Sequence, residues 1–324
     1  MPEAEEIRET LREAAAQHFA RPVEIDALEP LMGGASRELW GFVAVLDGRR
    51  RRLVLRRDPE GVEDPAARRR ELDALTAAHR HGVPVPEPFW LHDDGAGLVM
   101  ARVDGETIPR RLLREDRYAG ARAGLIGELG AAAAALHAVP LGEVGAVEAP
   151  AEPPAQAAIA GLESELDRIG EPHPALELGL RWLRAHLPEP RHPSLVHGDV
   201  RLGNLVVDEE GLVAVLDWEL VHAGDPLEDL GWLCIRSWRF GNDDHPVAGV
   251  GSREALLDAY AAAGGPQASA EDLRFWEVAG NVRWGVICML QAHLHRSGAQ
   301  RSLERAAIGR RTCEPEWDLL AMIG

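Results

Sequence analysis

Two kinds of hydrophobic spacing follow one another along the chain. Near its start, Ile7, Leu11 and the alanines at 14–16 recur every three or four residues, which predicts a short amphipathic helix over residues 5–18. Between residues 25 and 100, runs of β-branched, aromatic and leucine residues alternate with turn residues. These runs predict strands at 25–31, 38–46, 52–56, 89–92 and 97–100, with a helix at 66–81. The expected product is an antiparallel sheet of about five strands.

Beyond residue 105 the hydrophobic spacing becomes helical. Helices are predicted at 118–137, 156–169 and 174–187. One break in the helical pattern contains two short strand-like runs, 205–207 and 212–216, around the turn-rich residues 208–211. This break predicts a β-hairpin inside an otherwise helical region.

The composition is that of a globular protein with a large core. The 324 residues are 46% hydrophobic with a mean hydropathy of −0.19. No apolar run approaches the roughly 18 residues that a membrane-spanning helix needs, so no membrane partner is expected. The acidic residues at 3–6 differ from the basic start and apolar middle of a signal peptide, and a cytoplasmic protein is therefore expected.

Charge and residue usage exclude several classes of function. The formal net charge of −18 argues against a nucleic-acid partner, which would need a basic surface, and it is compatible with a cationic substrate. Cys234, Cys288 and Cys313 are odd in number and far apart, unlike a disulfide framework or a zinc site. The chain has no lysine, since all 35 basic residues are arginine, and a Walker A phosphate-binding loop is therefore impossible.

The strongest chemical signal begins at His197 and extends through the predicted hairpin. Asn204 enters the hairpin and Asp217 leaves it, so folding about the turn brings both positions to its open end, where opposed residues lie roughly 5 Å apart. An amide oxygen and a carboxylate at one spot suit Mg²⁺, which takes one or two protein ligands and completes its octahedron with phosphate and water. Asp199, which precedes the hairpin, is placed to accept a proton from a hydroxyl nucleophile opposite that phosphate.

This arrangement resembles the aminoglycoside phosphotransferase family, whose catalytic core is similar to that of protein kinases. The residues that carry the resemblance are His-Gly-Asp at 197–199, Asn204 after four further residues, and a tripeptide led by Asp217 after the hairpin. The resemblance implies that Asp199 is the catalytic base and that Asn204 and Asp217 bind Mg²⁺. It also implies that Arg201 lies near the transferred phosphate.

The same resemblance implies a two-lobed, protein-kinase-like α+β fold. Residues 1–102 would form an N-terminal nucleotide-binding lobe that contains the small antiparallel sheet. Residues 103–324 would form a mostly helical C-terminal lobe with the catalytic loop and the acceptor site. The connector between the lobes would be a hinge whose backbone binds the nucleotide base, through Met100, Ala101 and Val103.

Further residues of the expected nucleotide site lie in the first sheet. The turn that contains Gly33, Gly34 and Ser36 resembles the family's nucleotide-covering loop, in which backbone amides approach phosphates, and an ordinary hairpin turn is the alternative. Arg56 closes the third strand where kinase-like folds carry a phosphate-binding lysine, and its neighbour Arg57 is the second candidate.

Glu71 is the expected acidic partner of Arg56. It lies one turn before Leu75, at the margin of the apolar stripe of the predicted helix 66–81. A carboxylate so close to a core needs a basic partner. Arg68, three residues earlier, or the solvent is the alternative partner.

The acceptor is expected to be a small molecule with a hydroxyl group. Only residues 220–224 separate Glu219 from Asp225, which leaves no space for the activation and peptide-docking segment of a protein kinase, so no protein substrate is expected. The resemblance also implies that Asp229 supports the catalytic loop by bonding its backbone. Candidate acceptor-site residues follow it, although tryptophans at helical spacing more often belong to a core than to a ligand site. They are Trp232, Arg236, Trp238, Trp276 and Trp284.

These observations predict a Mg²⁺-dependent enzyme that moves the γ-phosphate of ATP, or of GTP, to a small-molecule hydroxyl. The family name suggests aminoglycosides, but members also phosphorylate macrolides, choline, homoserine and sugars. Similar domains occur fused to acyl-CoA dehydrogenases, for which hydroxyacyl-CoA would be the acceptor. The alternative from another class is a catalytically silent nucleotide-binding module.

Overall fold

The strands predicted for the N-terminal part form one antiparallel sheet in the computed structural model of the protein, which describes residues 2–31, 38–58, 63–145 and 147–324. The strand order is β1-β2-β3-β5-β4, and the prediction of about five strands is confirmed. The strands are β1 (Glu24–Pro30), β2 (Glu38–Leu46), β3 (Arg49–Arg57), β4 (Pro88–His92) and β5 (Gly97–Ala101). The loop between β1 and β2 contains Gly33, Gly34 and Ser36, and these predicted residues lie outside the described ranges.

The third strand begins three residues earlier than predicted. Asp47 and Gly48 both have positive φ, 47° and 75°, which is the geometry of a two-residue turn that matches the twist of its flanking strands. Leu46 therefore pairs directly with Arg49. The arginines at 49–52 are exposed and show no hydrophobic alternation, so the sequence pattern alone did not reveal this part of the strand.

Two helices cover opposite faces of the sheet. Helix α1 (Pro2–Phe19) buries Leu11 in a cluster with Leu55 and Val99, whereas α2 (Pro65–Arg80) buries Leu75 in a cluster with Leu98. Neighbouring strand residues point to opposite faces, so Leu98 and Val99 meet different helices. Both helices were predicted, and α1 extends beyond the expected 5–18 at both ends.

The C-terminal part is mostly helical. Its helices are α3 (Pro109–Arg114), α4 (Ala119–His137), α5 (Pro154–Ile169), α6 (Pro174–Ala185), α7 (Leu227–Cys234), α8 (Arg253–Ala262), α9 (Ala270–Ser297), α10 (Leu303–Gly309) and α11 (Cys313–Ile323). Helix α9 runs through the middle of this lobe and packs against α5, α6, α7, α10 and α11. Its buried face, with Val278, Val282 and Val286, contributes to the largest hydrophobic cluster.

Four short strands position the loops of the helical lobe. The predicted hairpin is confirmed as β7 (Leu205–Val207) and β8 (Leu212–Val215). A second pair, β6 (Ser194–Val196) and β9 (His222–Gly224), was not predicted, because three-residue strands leave little pattern. This second pair brings the segment before His197 next to the segment before α7.

The two-lobed α+β architecture agrees with the expected fold. The predicted boundary after residue 102 falls just beyond the end of β5, and it stays a prediction. Across the described ranges, none of the helices is both long enough and apolar enough to cross a membrane.

Candidate active site

Asp199 lies at the centre of the site and is held by three side chains. Asn204 Nδ2 donates to Asp199 Oδ2 at 2.7 Å, and Trp232 Nε1 donates to Asp199 Oδ1 at 2.9 Å. Arg201 Nε lies 3.2 and 3.1 Å from the two carboxylate oxygens. The side chain keeps 14% of its surface exposed, so the carboxylate is fixed in orientation yet accessible from the cleft.

The backbone of the predicted catalytic loop, residues 197–204, is held by Asp229. Its two carboxylate oxygens accept the N–H groups of His197 at 2.9 Å and Gly198 at 2.8 Å, and the predicted backbone support is therefore present. His137 Nε2 lies 3.2 Å from the same carboxylate, and the Tyr260 hydroxyl lies 2.8 Å from His137 Nδ1. Burial would raise the pKa of Asp229, but the bond to His137 and the neighbouring donors lower it to about 2.

His197 joins the catalytic loop to the end of the hairpin. Its Nδ1 accepts the N–H of Asp199 at 3.1 Å, which leaves Nε2 as the protonated nitrogen that donates to the Leu216 carbonyl at 3.0 Å. Gly198 has φ +83°, and a Cβ there would lie 2.7 Å from the carbonyl oxygen of Leu220. Only glycine therefore fits between His197 and Asp199.

Asn204 and Asp217 meet at the open end of the hairpin, as predicted. Leu205 pairs with Val215, and the N–H of Leu216 donates to the Asn204 carbonyl at 2.7 Å. Asp217 has the left-handed conformation, φ 67° and ψ 66°, and 35% of its side chain is exposed. Non-glycine residues in this conformation are uncommon and concentrate at functional sites.

The oxygen donors at this end of the hairpin fit Mg²⁺. Asn204 uses its Nδ2 for Asp199, so its Oδ1 is the atom available to a cation, and Asp217 follows the residue whose N–H bonds to the Asn204 carbonyl. Within the described part of the chain, no group of three or more His, Cys, Asp or Glu side chains is arranged to hold a metal. A pair of hard oxygen ligands is nevertheless what Mg²⁺ takes from a protein when phosphates and water complete its shell.

Arg56 connects the sheet, α2 and the hairpin. It forms an ion pair with Glu71, as predicted, and its Nη1 lies 3.7 Å from Asp217 Oδ1. Glu71 is also paired with Arg68, so the predicted partner and the alternative partner are both present. Arg57 points to the other face of the strand, where its guanidinium lies 3.9 Å from Glu38 and 3.7 Å from Asp93.

The connector between the lobes has a backbone donor at Val103. Met100 and Ala101 end β5, and the N–H of Ala101 already donates to the Glu87 carbonyl at 2.8 Å. The next residue, Arg102, donates its N–H to Arg52 at 2.9 Å. Among the described residues, no backbone carbonyl accepts the N–H of Val103.

The candidate acceptor-site residues divide into two groups. Trp232, Trp238 and Trp284 form one aromatic cluster, with ring centroids 5.3 and 4.8 Å apart, and Arg201 lies 5.1 Å from the Trp238 ring. Trp276 belongs instead to the main hydrophobic core of the lobe. Of the predicted tryptophans, Trp232 donates a hydrogen bond to Asp199.

Comparison with known protein families agrees with this geometry. A family model described as the phosphotransferase enzyme family matches residues 4–276, which include Arg56, Glu71, Asp199, Asn204, Asp217 and Asp229. The chain belongs to this family. The resemblance that the motif at 197–199 carried is thereby confirmed.

Relatives in the phosphotransferase family extend the comparison. The mouse protein named acyl-CoA dehydrogenase family member 10 is 30% identical over 195 residues, 57% of this chain and 18% of that protein. The chain spans a quarter or less of the length of the relatives of this kind that it matches. A crystal structure from Ralstonia eutropha JMP134, provisionally described as an aminoglycoside phosphotransferase, is 25% identical, with a TM-score of 0.75 over 96% of this chain and 97% of that one.

A second solved structure shares the family fold at lower identity. Aminoglycoside 2'-phosphotransferase-IIIa, solved as a GDP complex, is 14% identical, with a TM-score of 0.63 over 97% of this chain and 99% of that one. At that identity the likeness shows the kinase-like fold alone.

Two residues near the family motif were missed by the sequence analysis. His137 lies 92 residues before Asp229 and Arg283 lies 51 residues after Trp232, so no local spacing indicates either contact. His137 is the last residue of a helix that was predicted from its apolar spacing. A polar side chain at the buried end of that helix was the sequence feature that could have indicated its role.

Proposed function

We propose that the protein transfers the γ-phosphate of ATP, or of GTP, to a hydroxyl group of a small molecule. The observation that carries the proposal is the constellation around Asp199: an oriented carboxylate next to an amide oxygen and a second carboxylate at the end of a hairpin. Phosphoryl transfer depends on positioning and on charge stabilisation, and each of these groups serves one of those needs.

Asp199 is the proposed catalytic base. Its carboxylate orients the acceptor hydroxyl and accepts its proton as the oxygen attacks the phosphate. The hydrogen bonds from Asn204 and Trp232 fix both oxygens, so little reorganisation is needed when the acceptor binds. Arg201, next to the carboxylate, offsets negative charge on the transferred group.

Asn204 and Asp217 are the proposed Mg²⁺ ligands. When bound, Mg²⁺ supplies charge neutralisation on the β- and γ-phosphate oxygens. Arg56, held by Glu71 and 3.7 Å from Asp217, is placed to bind the phosphates beside the cation.

The nucleotide is proposed to lie between the sheet and the hairpin. The connector would bind its base through the Val103 N–H and the adjacent backbone of Met100 and Ala101, and the loop with Gly33, Gly34 and Ser36 would cover its phosphates. GTP is kept beside ATP because a structural neighbour was solved with GDP.

The proposed acceptor is a small molecule, in the class that includes aminoglycosides. Hydroxyacyl-CoA is a second candidate acceptor, supported by the names of the acyl-CoA dehydrogenase family members to which the chain is similar. A silent nucleotide-binding module is disfavoured, because Asp199, Asn204 and Asp217 are all present and lie together.

The test is phosphate transfer by wild type and by Asp199→Asn. Each protein is incubated with the Mg²⁺ complexes of ATP and GTP and a panel of aminoglycosides, macrolides, choline, sugars and hydroxyacyl-CoAs, and the products are measured by mass spectrometry. Loss of the base should lower turnover by roughly 10² or more and leave nucleotide binding intact.

The matched control is Asp258→Asn, on the exposed face of α8, which should retain full turnover. Undiminished transfer by Asp199→Asn would refute the assigned mechanism. Nucleotide binding without transfer to any acceptor and without ATP hydrolysis would favour the silent module.

A further inference from the structure

Arg283 is separated from Asp199 by a single indole ring. The residue belongs to α9, and its guanidinium carbon is 4.8 Å from the centroid of the Trp232 ring. Trp232 belongs to α7, and its Nε1 donates to Asp199 at 2.9 Å. The indole therefore carries the proposed base at one edge and a guanidinium on its face.

The guanidinium of Arg283 lies over the Trp232 ring. Within the described residues, no carboxylate lies within 4.0 Å of it and no hydrogen bond from it is formed, although its surroundings leave it only partly exposed. A guanidinium held over an aromatic ring keeps N–H donors for a ligand. Contact with the ring also restricts the side chain before any ligand binds, which lowers the entropic cost of binding.

The carboxylates near Arg283 are already paired with other groups. Asp199, across the indole, is paired with Arg201, which lies against the Trp238 ring. His222 is close enough to interact electrostatically with Arg283, and the nearby Glu228 is already hydrogen-bonded to His222 at 3.1 Å. A cationic group placed at Arg283 would be repelled by its guanidinium, in contrast to the expectation that the acidic chain suits cations.

We infer that Arg283, stacked on Trp232, binds an oxyanion of the acceptor, either a carboxylate or a phosphate. This inference rests on the proposed function, because it gives the substrate class of the same site. Trp232 is buried and Arg283 is partly exposed, so an acceptor whose hydroxyl reaches Asp199 would place its anionic group at Arg283 from the solvent side, past the ring. The acceptor is then an anionic hydroxy compound, and a polycationic aminoglycoside is disfavoured.

The test uses two matched pairs of ligands with the same hydroxyl group. 3-Hydroxybutyrate is compared with its methyl ester, which lacks the carboxylate, and 3-hydroxybutyryl-phosphopantetheine with 3-hydroxybutyryl-pantetheine, which lacks the phosphate. Their dissociation constants are measured by calorimetry on full-length protein loaded with Mg²⁺ and a non-hydrolysable ATP analogue, so that the nucleotide site is occupied.

The variants are Arg283→Gln, which removes the charge, and Arg283→Lys, which keeps the charge without the planar fork. The control is Arg274→Gln. Arg274 is on the same helix, nine residues or about 13 Å away, and also lies over a tryptophan, 5.6 Å from the Trp182 ring.

Wild type should bind at least one anionic ligand about tenfold or more tightly than its uncharged counterpart. Arg283→Gln should abolish this preference, Arg283→Lys should retain part of it, and Arg274→Gln should match wild type. The pair that shows the preference identifies the anion as carboxylate or phosphate.

Equal binding within both pairs, or a preference that survives Arg283→Gln, would overturn the inference. Failure of the proposed function has a different signature, since it would abolish transfer that depends on Asp199 while leaving the Arg283-dependent binding preference in place.

Discussion

Asp199 is held in place by three side chains from two separate parts of the chain. Arg201 and Asn204 belong to the loop that precedes β7, whereas Trp232 approaches from α7. Removing a single donor would leave the others to orient the carboxylate. A catalytic group held by several independent donors is preorganised, which is how a protein lowers the reorganisation cost of the reaction.

Arg56 is the residue at which a structural role and a ligand-binding role can be separated. In Arg56→Gln, the Glu71 carboxylate keeps its ion pair with Arg68, so folding should be largely retained. The positive charge beside Asp217 would be lost, and we expect nucleotide affinity to fall about tenfold or more. Titration calorimetry with ATP and Mg²⁺ measures the affinity, and urea denaturation measures the stability.

The matched control is Arg57→Gln, the neighbouring residue on the opposite face of β3. Its partners Glu38 and Asp93 lie away from the hairpin, so nucleotide affinity should not change. If Arg57→Gln instead lost more nucleotide affinity than Arg56→Gln, the phosphate-binding role would belong to Arg57.

At the scale of elements, the site lies where the ends of several short segments converge. β6 leads into the catalytic loop, β7 and β8 hold the two proposed metal ligands at their open end, and α7 supplies Asp229 beneath the loop. His197 ties the loop to the last residue before Asp217. Movement of any one segment would therefore change the distance between the proposed base and the proposed metal ligands.

The buried contact between α7 and the catalytic loop should be visible in the pH dependence of stability. The pKa of Asp229 is about 2 in the folded protein, below its ordinary value of 3.8. Unfolding raises the pKa, so this group stabilises the fold above about pH 4 and its contribution, about 2 kcal/mol, is lost as the pH falls toward 2. Urea denaturation between pH 7 and pH 2.5 measures this loss.

The variant Asp229→Asn isolates this contribution. It should lower the free energy of unfolding at pH 7 by about 2–4 kcal/mol, because an amide cannot accept both the His197 and the Gly198 N–H groups, and its stability should fall less in acid. Burial raises the pKa of Asp225 to about 6, so the protonation of Asp225 stabilises the fold as the pH falls. This effect is present in wild type and in Asp229→Asn, so it cancels when the acid losses of the two proteins are compared. If Asp229→Asn lost as much unfolding free energy in acid as wild type does, Asp229 would not be the source of the loss.

At the scale of the whole molecule, the sequence predicted most elements and the local part of the site. The hairpin, its two ligand positions and the base before it are close in the chain, so their spacing fixes their geometry. The pairing of Arg56 with Glu71 followed from the strand and helix that carry them. Trp232 and Arg283, in contrast, meet through the packing of α7 on α9, and helix packing between distant segments leaves no local spacing.

The lobes are joined by more than the connector. Helix α2 shares a buried hydrophobic cluster with Leu195, Trp218 and Val221 of the helical lobe. The N–H of Val215 donates to the Pro84 carbonyl at 2.8 Å. Glu71, on α2, is therefore fixed relative to the catalytic loop as well as to the sheet.

Gly105 is the point where the connector meets the hairpin, and it should tolerate no side chain. Its φ is +152°, and a Cβ would lie 2.5 Å from Val206 Cγ1 and 3.1 Å from the Val207 carbonyl oxygen. The next residue, Glu106, exchanges two backbone hydrogen bonds with Val207, at 2.8 and 3.0 Å, so the chain cannot move aside without breaking them. Gly105→Ala should lower the free energy of unfolding by about 1–3 kcal/mol, measured by urea denaturation.

The control for this substitution is Gly127→Ala, inside α4. A Cβ at that position has no heavy atom within 4 Å, and alanine favours a helix, so the change should raise stability by up to about 1 kcal/mol. If Gly105→Ala were instead as stable as wild type, the connector would have to detach from β7 at little cost. The bridge between Glu106 and Val207 would then not set how closely the proposed hinge approaches the hairpin that carries Asn204 and Asp217.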